Sequence, residues 1–217
     1  MATTWNPALV VESSTGCFTK VINSVFSSCA WVLDGKVIVD CGDVEPLLSL
    51  LQEDGPCTVL LTHGHFDHIY GLNDLCRRFP EARIYCSEWA WQQLLDAKLN
   101  LSFYHETPFV FAYPERIVMV DNGDTVDLGD GLEVTAVATP GHTPGCVTWM
   151  TDDALFTGDA YIPDVRVVTN LPHGNKHQAA LSVEKIIKLA TNRTIYPGHD
   201  VAPSILTTTL SLTKRHM

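Results

Sequence analysis

The residues best suited to chemistry stand in segment 62–68, whose sequence is THGHFDH. In an extended segment, alternate side chains point to the same side, so His63 and His65 can bind one metal ion together. Asp67 and His68 fall where a helix is predicted to begin, and a turn there would direct them toward a second ion. A polar loop with accidental histidines is the alternative. Four metal-capable side chains at the end of a buried strand favour a metal site instead.

Three further candidate ligands share this setting, because each follows a predicted strand and stands next to glycine. A single residue of this kind is more typical of a turn than of a metal site. Together with segment 62–68, however, the three indicate one set of ligands gathered at strand ends. They are His142 in the sequence TPGHTPG, Asp159 in TGD and His199 in PGHD.

Alternating strands and helices must position these side chains. The run 57–62 is almost wholly apolar, as expected for a strand buried on both faces. Asp34-Gly35 between two apolar runs predicts a hairpin, whereas the aromatic stretch 99–115 has little periodicity and receives no assignment. Strands are predicted at 28–33, 36–40, 57–62, 82–86, 116–120, 125–128, 132–138, 146–151, 154–157 and 194–196, and helices at 45–52, 68–79, 88–98 and 181–190.

The length and composition fit one ordinary domain spanning 1–217. The chain has 217 residues, of which 46% are hydrophobic, which is enough for a substantial core. No linker or low-complexity segment divides it. The order of elements predicts an α/β protein in which two sheets pack face to face with helices outside.

The charge and hydropathy of the chain restrict its partners. Its formal net charge is -11, and affinity for nucleic acid depends on neutralising phosphates with Lys and Arg. The nearest basic pair, Lys214-Arg215, does not offset this charge, so we expect no nucleic-acid partner. We also expect no secretory leader and no membrane-spanning helix, because no apolar run is long enough. The sequence indicates no oligomeric state.

The cysteines indicate a reducing compartment. There are seven, an odd number, and they are widely scattered without a Cys-x-x-Cys pair. Scattered, unpaired cysteines are typical of reduced structural thiols. We therefore expect a cytoplasmic protein.

The order of the motifs resembles the metallo-β-lactamase superfamily. The sequence HGHFDH is followed by PGHTPG, then TGD, then PGH, and the similarity runs from about residue 20 to residue 200. Within the superfamily, the chain is most similar to short glyoxalase II-like hydrolases. The resemblance implies an α/β fold, the αβ/βα four-layer sandwich of two packed mixed sheets with helices outside. It also implies metal ions at one edge of the sheets.

The resemblance further implies how two divalent metal ions would be held. One ion would take three histidines, the other would take an Asp and two histidines, and Asp159 would bridge them. Imidazole and carboxylate donors suit zinc, which we expect first, and also iron or manganese. Asp67 is also the candidate catalytic residue, because it can take up a proton during the reaction. The expected metal ligands are His63, His65, Asp67, His68, His142, Asp159 and His199.

The activity implied by the resemblance is hydrolysis of small ester-like substrates, with thioesters of the hydroxyacylglutathione type favoured. Divalent metals lower the pKa of water from about 15.7 to about 7, which supplies hydroxide at neutral pH. Lactonase or β-lactamase activity is an alternative, although many β-lactamases of the superfamily have Cys where this chain has Asp159. Iron-dependent oxidative sulfur chemistry and a non-catalytic, metal-stabilised binding module are two more. Glyoxalase II enzymes carry a C-terminal helical extension that helps to hold glutathione, and segment 200–217 does not resemble it.

A small-molecule substrate would be contacted by residues that follow Asp159. The resemblance places a substrate-facing loop there. The candidate substrate-binding residues are Tyr161, Arg166, His173 and Lys176. The other histidines, His105, His177 and His216, lack the setting of a ligand, and we expect the Trp89-Ala90-Trp91 stretch to serve packing.

Overall fold

Seven strands form the first sheet of the computed structural model, which describes residues 9–13, 16–52, 58–129 and 131–200. They follow one another across the sheet in chain order. Pairing is antiparallel from the first strand to the fourth and parallel from the fourth to the seventh. The strands are β1 (Leu9–Ser13), β2 (Gly16–Ile22), β3 (Cys29–Leu33), β4 (Val37–Val39), β5 (Thr58–Leu60), β6 (Arg83–Cys86) and β7 (Ile117–Met119).

Five strands form the second sheet. They are β8 (Thr125–Asp127), β9 (Glu133–Ala138), β10 (Val147–Met150), β11 (Ala154–Gly158) and β12 (Thr194–Pro197). The spatial order is β12-β11-β10-β9-β8, with only β11 and β12 parallel. Because β9, β11 and β12 run in the same direction, their C-terminal ends lie at one edge of the sheet.

Within the described residues, four α-helices cover the outer faces of the two sheets. Apolar residues of α1, α2 and α3 share one core cluster with alternate residues of the first sheet, while Ile186 of α4 packs on Leu155 of the second. The Ser87 side chain accepts a hydrogen bond from the Ala90 amide and caps α3. The helices are α1 (Val44–Leu48), α2 (Leu72–Arg78), α3 (Glu88–Leu95) and α4 (Lys176–Leu189).

The main core lies between the two sheets. Strand residues alternate between faces, so Trp31 points into this core while Ala30 and Val32 face the helices. Trp149 is fully buried, and its indole N–H donates to the Leu61 carbonyl at 3.0 Å, which links the two sheets. The layers are therefore helix, sheet, sheet and helix, and the predicted four-layer α/β sandwich is confirmed.

The predicted Asp34-Gly35 hairpin is confirmed. Both residues have positive φ, 47° and 69°, and the Lys36 amide donates to the Leu33 carbonyl at 3.0 Å. Asp and Gly tolerate this left-handed conformation. The turn therefore joins β3 to β4 as the dipeptide predicts.

Other predicted boundaries need correction. Strands β1 and β2 were not predicted. The helix predicted at 68–79 begins only at Leu72, because residues 66–68 form a separate 3₁₀ turn. The helix predicted at 181–190 begins earlier, at Lys176, because its first turn is polar and exposed and so carries no apolar periodicity. Stretch 99–115 is mostly irregular, with short 3₁₀ turns near its two ends.

Three expectations concern the whole chain: the absence of a membrane-spanning helix, a single domain and the absence of a nucleic-acid partner. Within the described ranges, no helix combines the length and apolar character needed to cross a membrane. The prediction of one domain over 1–217 includes terminal residues outside the described ranges, as does Lys214-Arg215, and stays a prediction. The absence of a nucleic-acid partner also stays a prediction.

Candidate metal centre

All seven predicted ligands lie together at one edge of the sandwich. Each comes from a segment that follows the C-terminal end of a strand, namely β5, β9, β11 or β12. Six of the seven offer donor atoms that form two groups, and within each group every pair of atoms lies within 4.8 Å. The first group is His63, His65 and His142, and the second is Asp67, His68 and His199.

The first group consists of three buried imidazoles. Nδ1 of His65 lies 2.9 Å from Nε2 of His142, and the His63 ring lies edge-on to both of the other rings. Nε2 of His63 is buried and has no hydrogen-bond partner. A buried nitrogen without a hydrogen-bond partner destabilises the fold unless it binds something else. This position therefore suits a cation.

The second group combines one carboxylate with two imidazoles. Oδ2 of Asp67 lies 3.5 Å from Nε2 of His68 and 3.4 Å from Nε2 of His199. The two Nε2 atoms are themselves 3.4 Å apart. The three donors therefore converge on one point, as the ligands of a metal ion do.

Asp159 lies between the two groups. Its Oδ2 is 3.5 Å from Nε2 of His142 in the first group and 3.3 Å from Nε2 of His199 in the second. Its Oδ1 lies 3.4 Å from Nε2 of His68 and is buried without accepting a hydrogen bond. One carboxylate thus contacts both groups, which is the geometry that a bridging ligand requires.

The second nitrogen of four imidazoles is held by the protein. A hydrogen bond at the second ring nitrogen fixes the orientation of a ligand histidine and leaves the first free to coordinate. These contacts are His63 Nδ1 to Thr62 Oγ1 at 3.0 Å, His68 Nδ1 to Asp40 at 2.8 Å, His142 Nδ1 to the Val168 carbonyl at 2.8 Å and His199 Nδ1 to the Phe26 carbonyl at 3.1 Å.

Asp40 is a further candidate functional residue, which the sequence patterns above do not single out. It is buried, has a φ of 58°, and accepts hydrogen bonds from Nδ1 of His68 and from the amide and hydroxyl of Thr62. It also lies near His63, but these bonds occupy both of its oxygens, so we assign it to orientation rather than to the metal. A signal was present, because Asp40 directly follows β4 and stands close to Gly42, as the ligands follow their own strands.

Burial keeps the imidazoles of His63 and His65 neutral. It lowers the pKa of His63 well below its ordinary value, and the neighbouring imidazoles of His68 and His65 add to this effect. Burial, followed by the charge that His142 would carry, lowers the pKa of His65 to about 3. Neutral imidazole is the form that binds metal, so these residues need lose no proton to do so.

Carboxylates control the pKa values of the two histidines in the second group. Burial alone would lower the pKa of His68, but Asp67, Asp159 and Asp40 raise it well above its ordinary value. Burial would likewise lower the pKa of His199, yet hydrogen bonds to Asp159 and Asp67 raise it to about 10. Without metal, these imidazoles hold protons that metal binding must displace.

The arrangement fits divalent metal ions. Two donors that are each 2.0–2.1 Å from a tetrahedral zinc ion lie about 3.3 Å apart. The donor separations given above, 2.9 to 3.5 Å, are close to this value. Imidazole and carboxylate donors are also the types that zinc, iron and manganese accept.

The four predicted substrate-binding residues lie on the loop between β11 and α4 or at its end. This loop borders the centre, because the Val168 carbonyl contacts His142. Arg166, His173 and Lys176 are exposed, and the His173 ring stands edge-on to Trp89 with centroids 5.0 Å apart. Tyr161 packs instead on the small cluster beneath α4. Substrate contact stays a prediction for all four.

His105, His177 and the Trp pair lie outside the two donor groups. The His105 ring lies 4.4 Å from that of Phe66. His177 is in the exposed first turn of α4, and His216 lies outside the described residues. Trp91 packs, as predicted, against the core cluster that α1, α2 and α3 share with the first sheet.

The chain is similar in sequence to proteins named glyoxylase and hydroxyacylglutathione hydrolase. It is 29% identical over 166 residues to "Glyoxylase B2" of Dictyostelium discoideum, covering 74% of this chain and 56% of that protein. It is also 29% identical over 178 residues to "Hydroxyacylglutathione hydrolase" of Aliivibrio fischeri, covering 81% and 61%. The chain thus spans less than two thirds of the length of these relatives.

A solved structure and a family model extend the comparison. The BLEG-1 B3 metallo-beta-lactamase structure superposes with a TM-score of 0.76 at 28% identity, covering 85% of this chain and 92% of that one. The model of the metallo-beta-lactamase superfamily matches residues 24–199, which include every predicted ligand. With its sandwich fold and its histidine and aspartate centre, this chain belongs to the metallo-beta-lactamase superfamily.

Proposed function

We propose that this chain is a binuclear metal-dependent hydrolase of small ester-like substrates. The observation that carries the proposal is the position of Asp159, whose carboxylate lies within 3.5 Å of histidines from both donor groups. Seven donors joined in this way form one centre rather than two unrelated sites. Membership of a superfamily that binds divalent metals supports the same conclusion.

The two donor groups and the bridging carboxylate would hold two divalent ions. His63, His65 and His142 would hold one, and Asp67, His68 and His199 the other. When bound, such ions lower the pKa of water to about 7 and polarise a carbonyl group. We propose that the two ions are zinc. The same donors also suit iron or manganese.

The protein's own residues would orient these donors and manage protons. Asp40 and the carbonyls of Val168 and Phe26 hold the imidazoles in place. Asp67 is the proposed catalytic residue, because its carboxylate already faces both His68 and His199. The exposed cationic side chains of Arg166 and Lys176 are suited to an anionic group on the substrate.

We propose thioesters as the favoured substrate class. Support comes from the relatives named hydroxyacylglutathione hydrolase and Glyoxylase B2. A β-lactam is the second candidate, supported by the similarity to the BLEG-1 structure. The presence of Asp159 where many β-lactamases carry Cys favours the thioester.

We also propose a reducing, cytoplasmic setting. Burial raises the pKa of the Cys29, Cys86 and Cys146 thiols to about 12. Buried thiols of this kind pack as apolar groups and stay unreactive. They support a structural role for cysteines that remain reduced.

Metal content and a substrate panel together test the proposal. The wild-type protein should contain about two metal ions per chain and should cleave a thioester faster than a lactone or a β-lactam, compared by kcat/KM. Asp159→Ala should lose metal and at least about 100-fold in activity, because both ions share this ligand. Asp74→Ala, the same change on an exposed helix position, is the matched control and should match wild type.

Ligand variants separate the two proposed sites. His65→Ala should deplete one ion and His199→Ala the other, each leaving about one ion per chain. A metal-loaded wild-type protein that cleaves no member of the panel faster than Asp159→Ala would overturn the hydrolase proposal.

A further inference from the structure

A buried glutamine on α3 faces the segment that carries the first candidate ligands. Gln93 is only 1% exposed, although glutamine is a residue type that mostly lies at the surface. Its Oε1 atom accepts a hydrogen bond from the Gly64 amide at 3.2 Å, and its Nε2 atom donates to the Leu99 carbonyl at 3.2 Å. Both ends of the side-chain amide are therefore bonded, and one of them holds the backbone between His63 and His65.

Helix α3 approaches this segment too closely for a side chain at position 64. A Cβ atom on Gly64 would lie 2.5 Å from the Cβ of Gln93 and 3.1 Å from the Ala90 carbonyl oxygen. Glycine therefore lets α3 come near enough for Gln93 to reach the backbone amide. Gly64 is itself buried, so an amide that lost this partner would be left without a hydrogen bond.

A second buried residue, Asn100, holds the next part of the same segment. Its backbone carbonyl accepts a hydrogen bond from the Phe66 amide at 2.8 Å, and its side-chain nitrogen donates to the Gln93 carbonyl at 2.9 Å. Asn100 is fully buried. The backbone amides on both sides of His65 are thus bonded to one connected group of buried polar residues.

The His65 imidazole differs from the other four candidate imidazoles, whose second nitrogen is held by a protein group. Among the described residues, the hydrogen-bonding contact of its ring is with another candidate ligand, because its Nδ1 lies 2.9 Å from Nε2 of His142. The orientation of His65 therefore depends on the backbone that carries it, which is the backbone that Gln93 holds.

We propose that Gln93 is a positioning residue for the metal ion of the first donor group, acting through the Gly64 amide on the His65 imidazole. The inference rests on the proposed metal centre and adds a residue that aligns its donors. It explains why a polar side chain is buried beside Ala90 and Leu94, which belong to the helix-side core. An apolar side chain would fill this space but would leave the Gly64 amide unpaired.

Gln93→Met tests this role, because methionine is also unbranched but lacks the amide. Competition with a chromophoric chelator measures zinc affinity, with the second donor group disabled by His199→Ala or the first by His65→Ala. In the His199→Ala background, Gln93→Met should lower zinc affinity by about 10–100-fold, the effect typical of contacts that orient metal ligands. In the His65→Ala background it should leave zinc affinity unchanged.

Gln93→Glu is the conservative variant and should restore the zinc affinity of the first donor group. Burial raises the pKa of a glutamic acid, and a protonated carboxyl group accepts with one oxygen and donates with the other. It can therefore make both hydrogen bonds of the glutamine. Hydrogen exchange of the metal-free protein gives a second readout, since the Gly64 amide should exchange faster in Gln93→Met and stay protected in Gln93→Glu.

Two control variants separate positioning from stability. Gln92→Met makes the same change at the neighbouring, partly exposed position of α3 and should match wild type in every measurement. Leu47→Ala truncates a fully buried side chain of α1, so it should lower the melting temperature but leave both zinc affinities unchanged. If Gln93→Met does not fold, Gln93→Asn takes its place, because a side chain shorter by one methylene does not reach the Gly64 amide.

Four results would overturn the inference. They are unchanged zinc affinity of the first donor group in Gln93→Met, equal loss in both donor groups, equal loss in Leu47→Ala, and no recovery in Gln93→Glu. If the His199→Ala protein binds zinc and Gln93→Met does not weaken this binding, the inference falls and the proposed metal centre stands. If neither donor group binds zinc while Gln93 is present, both fall.

Discussion

At the residue scale, the centre depends on residues that would never touch a metal ion. Asp40 joins Thr62, at the start of the candidate metal-binding segment, to His68, one of the candidate ligands. The carbonyls of Phe26 and Val168 likewise accept hydrogen bonds from the imidazoles of His199 and His142. Partners of this kind fix the orientation of ligand histidines and increase their basicity.

Asp40 gives the first prediction. Asp40→Asn keeps the shape of the side chain but replaces an acceptor oxygen with a donor, which cannot accept the proton of His68 or Thr62. We expect metal affinity to fall about 10–100-fold and stability to fall by about 1–3 kcal/mol. Competition with a chromophoric chelator measures the first, and urea unfolding of the metal-free protein the second.

Asp74→Asn, on the exposed face of α2, is the control for this substitution. It should leave both quantities at their wild-type values. Wild-type metal affinity in Asp40→Asn would show that the carboxylate supports the fold alone.

At the element scale, the strand ends must approach one another closely to bring the ligands together. Gly158 ends β11 with a φ of 50°, and a Cβ at this position would overlap the Thr62 side chain. Only glycine combines this conformation with this closeness. The end of β11 can therefore place Asp159 directly against the segment that carries His63.

Gly158 gives the second prediction. Gly158→Ala should destabilise the protein by about 2–4 kcal/mol, because backbone strain and steric overlap add. Gly129→Ala is the matched control, since Gly129 has a φ of 85° but open space around its Cβ position. The control should cost only about 1 kcal/mol. Denaturant unfolding measures both, and equal losses would contradict the steric argument.

At the scale of the whole molecule, the centre joins the two sheets. Its candidate ligands come from segments that follow β5 of the first sheet and β9, β11 and β12 of the second. The Val147 amide also donates to the Thr62 carbonyl across the same gap. Ions bound here would therefore hold the two sheets together and stabilise the folded state.

Metal removal gives the third prediction. A ligand that binds only the folded state, at 100 times its dissociation constant, adds about 2.7 kcal/mol per site. Treatment with a chelator should therefore lower the melting temperature, and adding back zinc should restore it. Asp159→Ala should respond much less, and an equal response in that variant would place the stabilising metal elsewhere.

The sequence by itself was sufficient to predict the candidate ligands and the class of fold. His63, His142, Asp159 and His199 were predictable because each follows an apolar strand beside glycine, a local pattern that is visible without coordinates. The alternation of strands and helices was sufficient to predict a layered α/β protein. The polar first turn of α4 was missed because local periodicity reports only on buried faces.

Only the tertiary structure decided how these parts act together. The roles of Asp40 and of the Phe26 and Val168 carbonyls depend on contacts between residues far apart in the chain, and any residue can offer a carbonyl. The positive φ of Phe26, 53°, is likewise not indicated by the sequence, since Phe is not a residue that favours this conformation. The types of donor are set by the residues in the sequence, whereas the orientation of those donors is set by packing between distant residues.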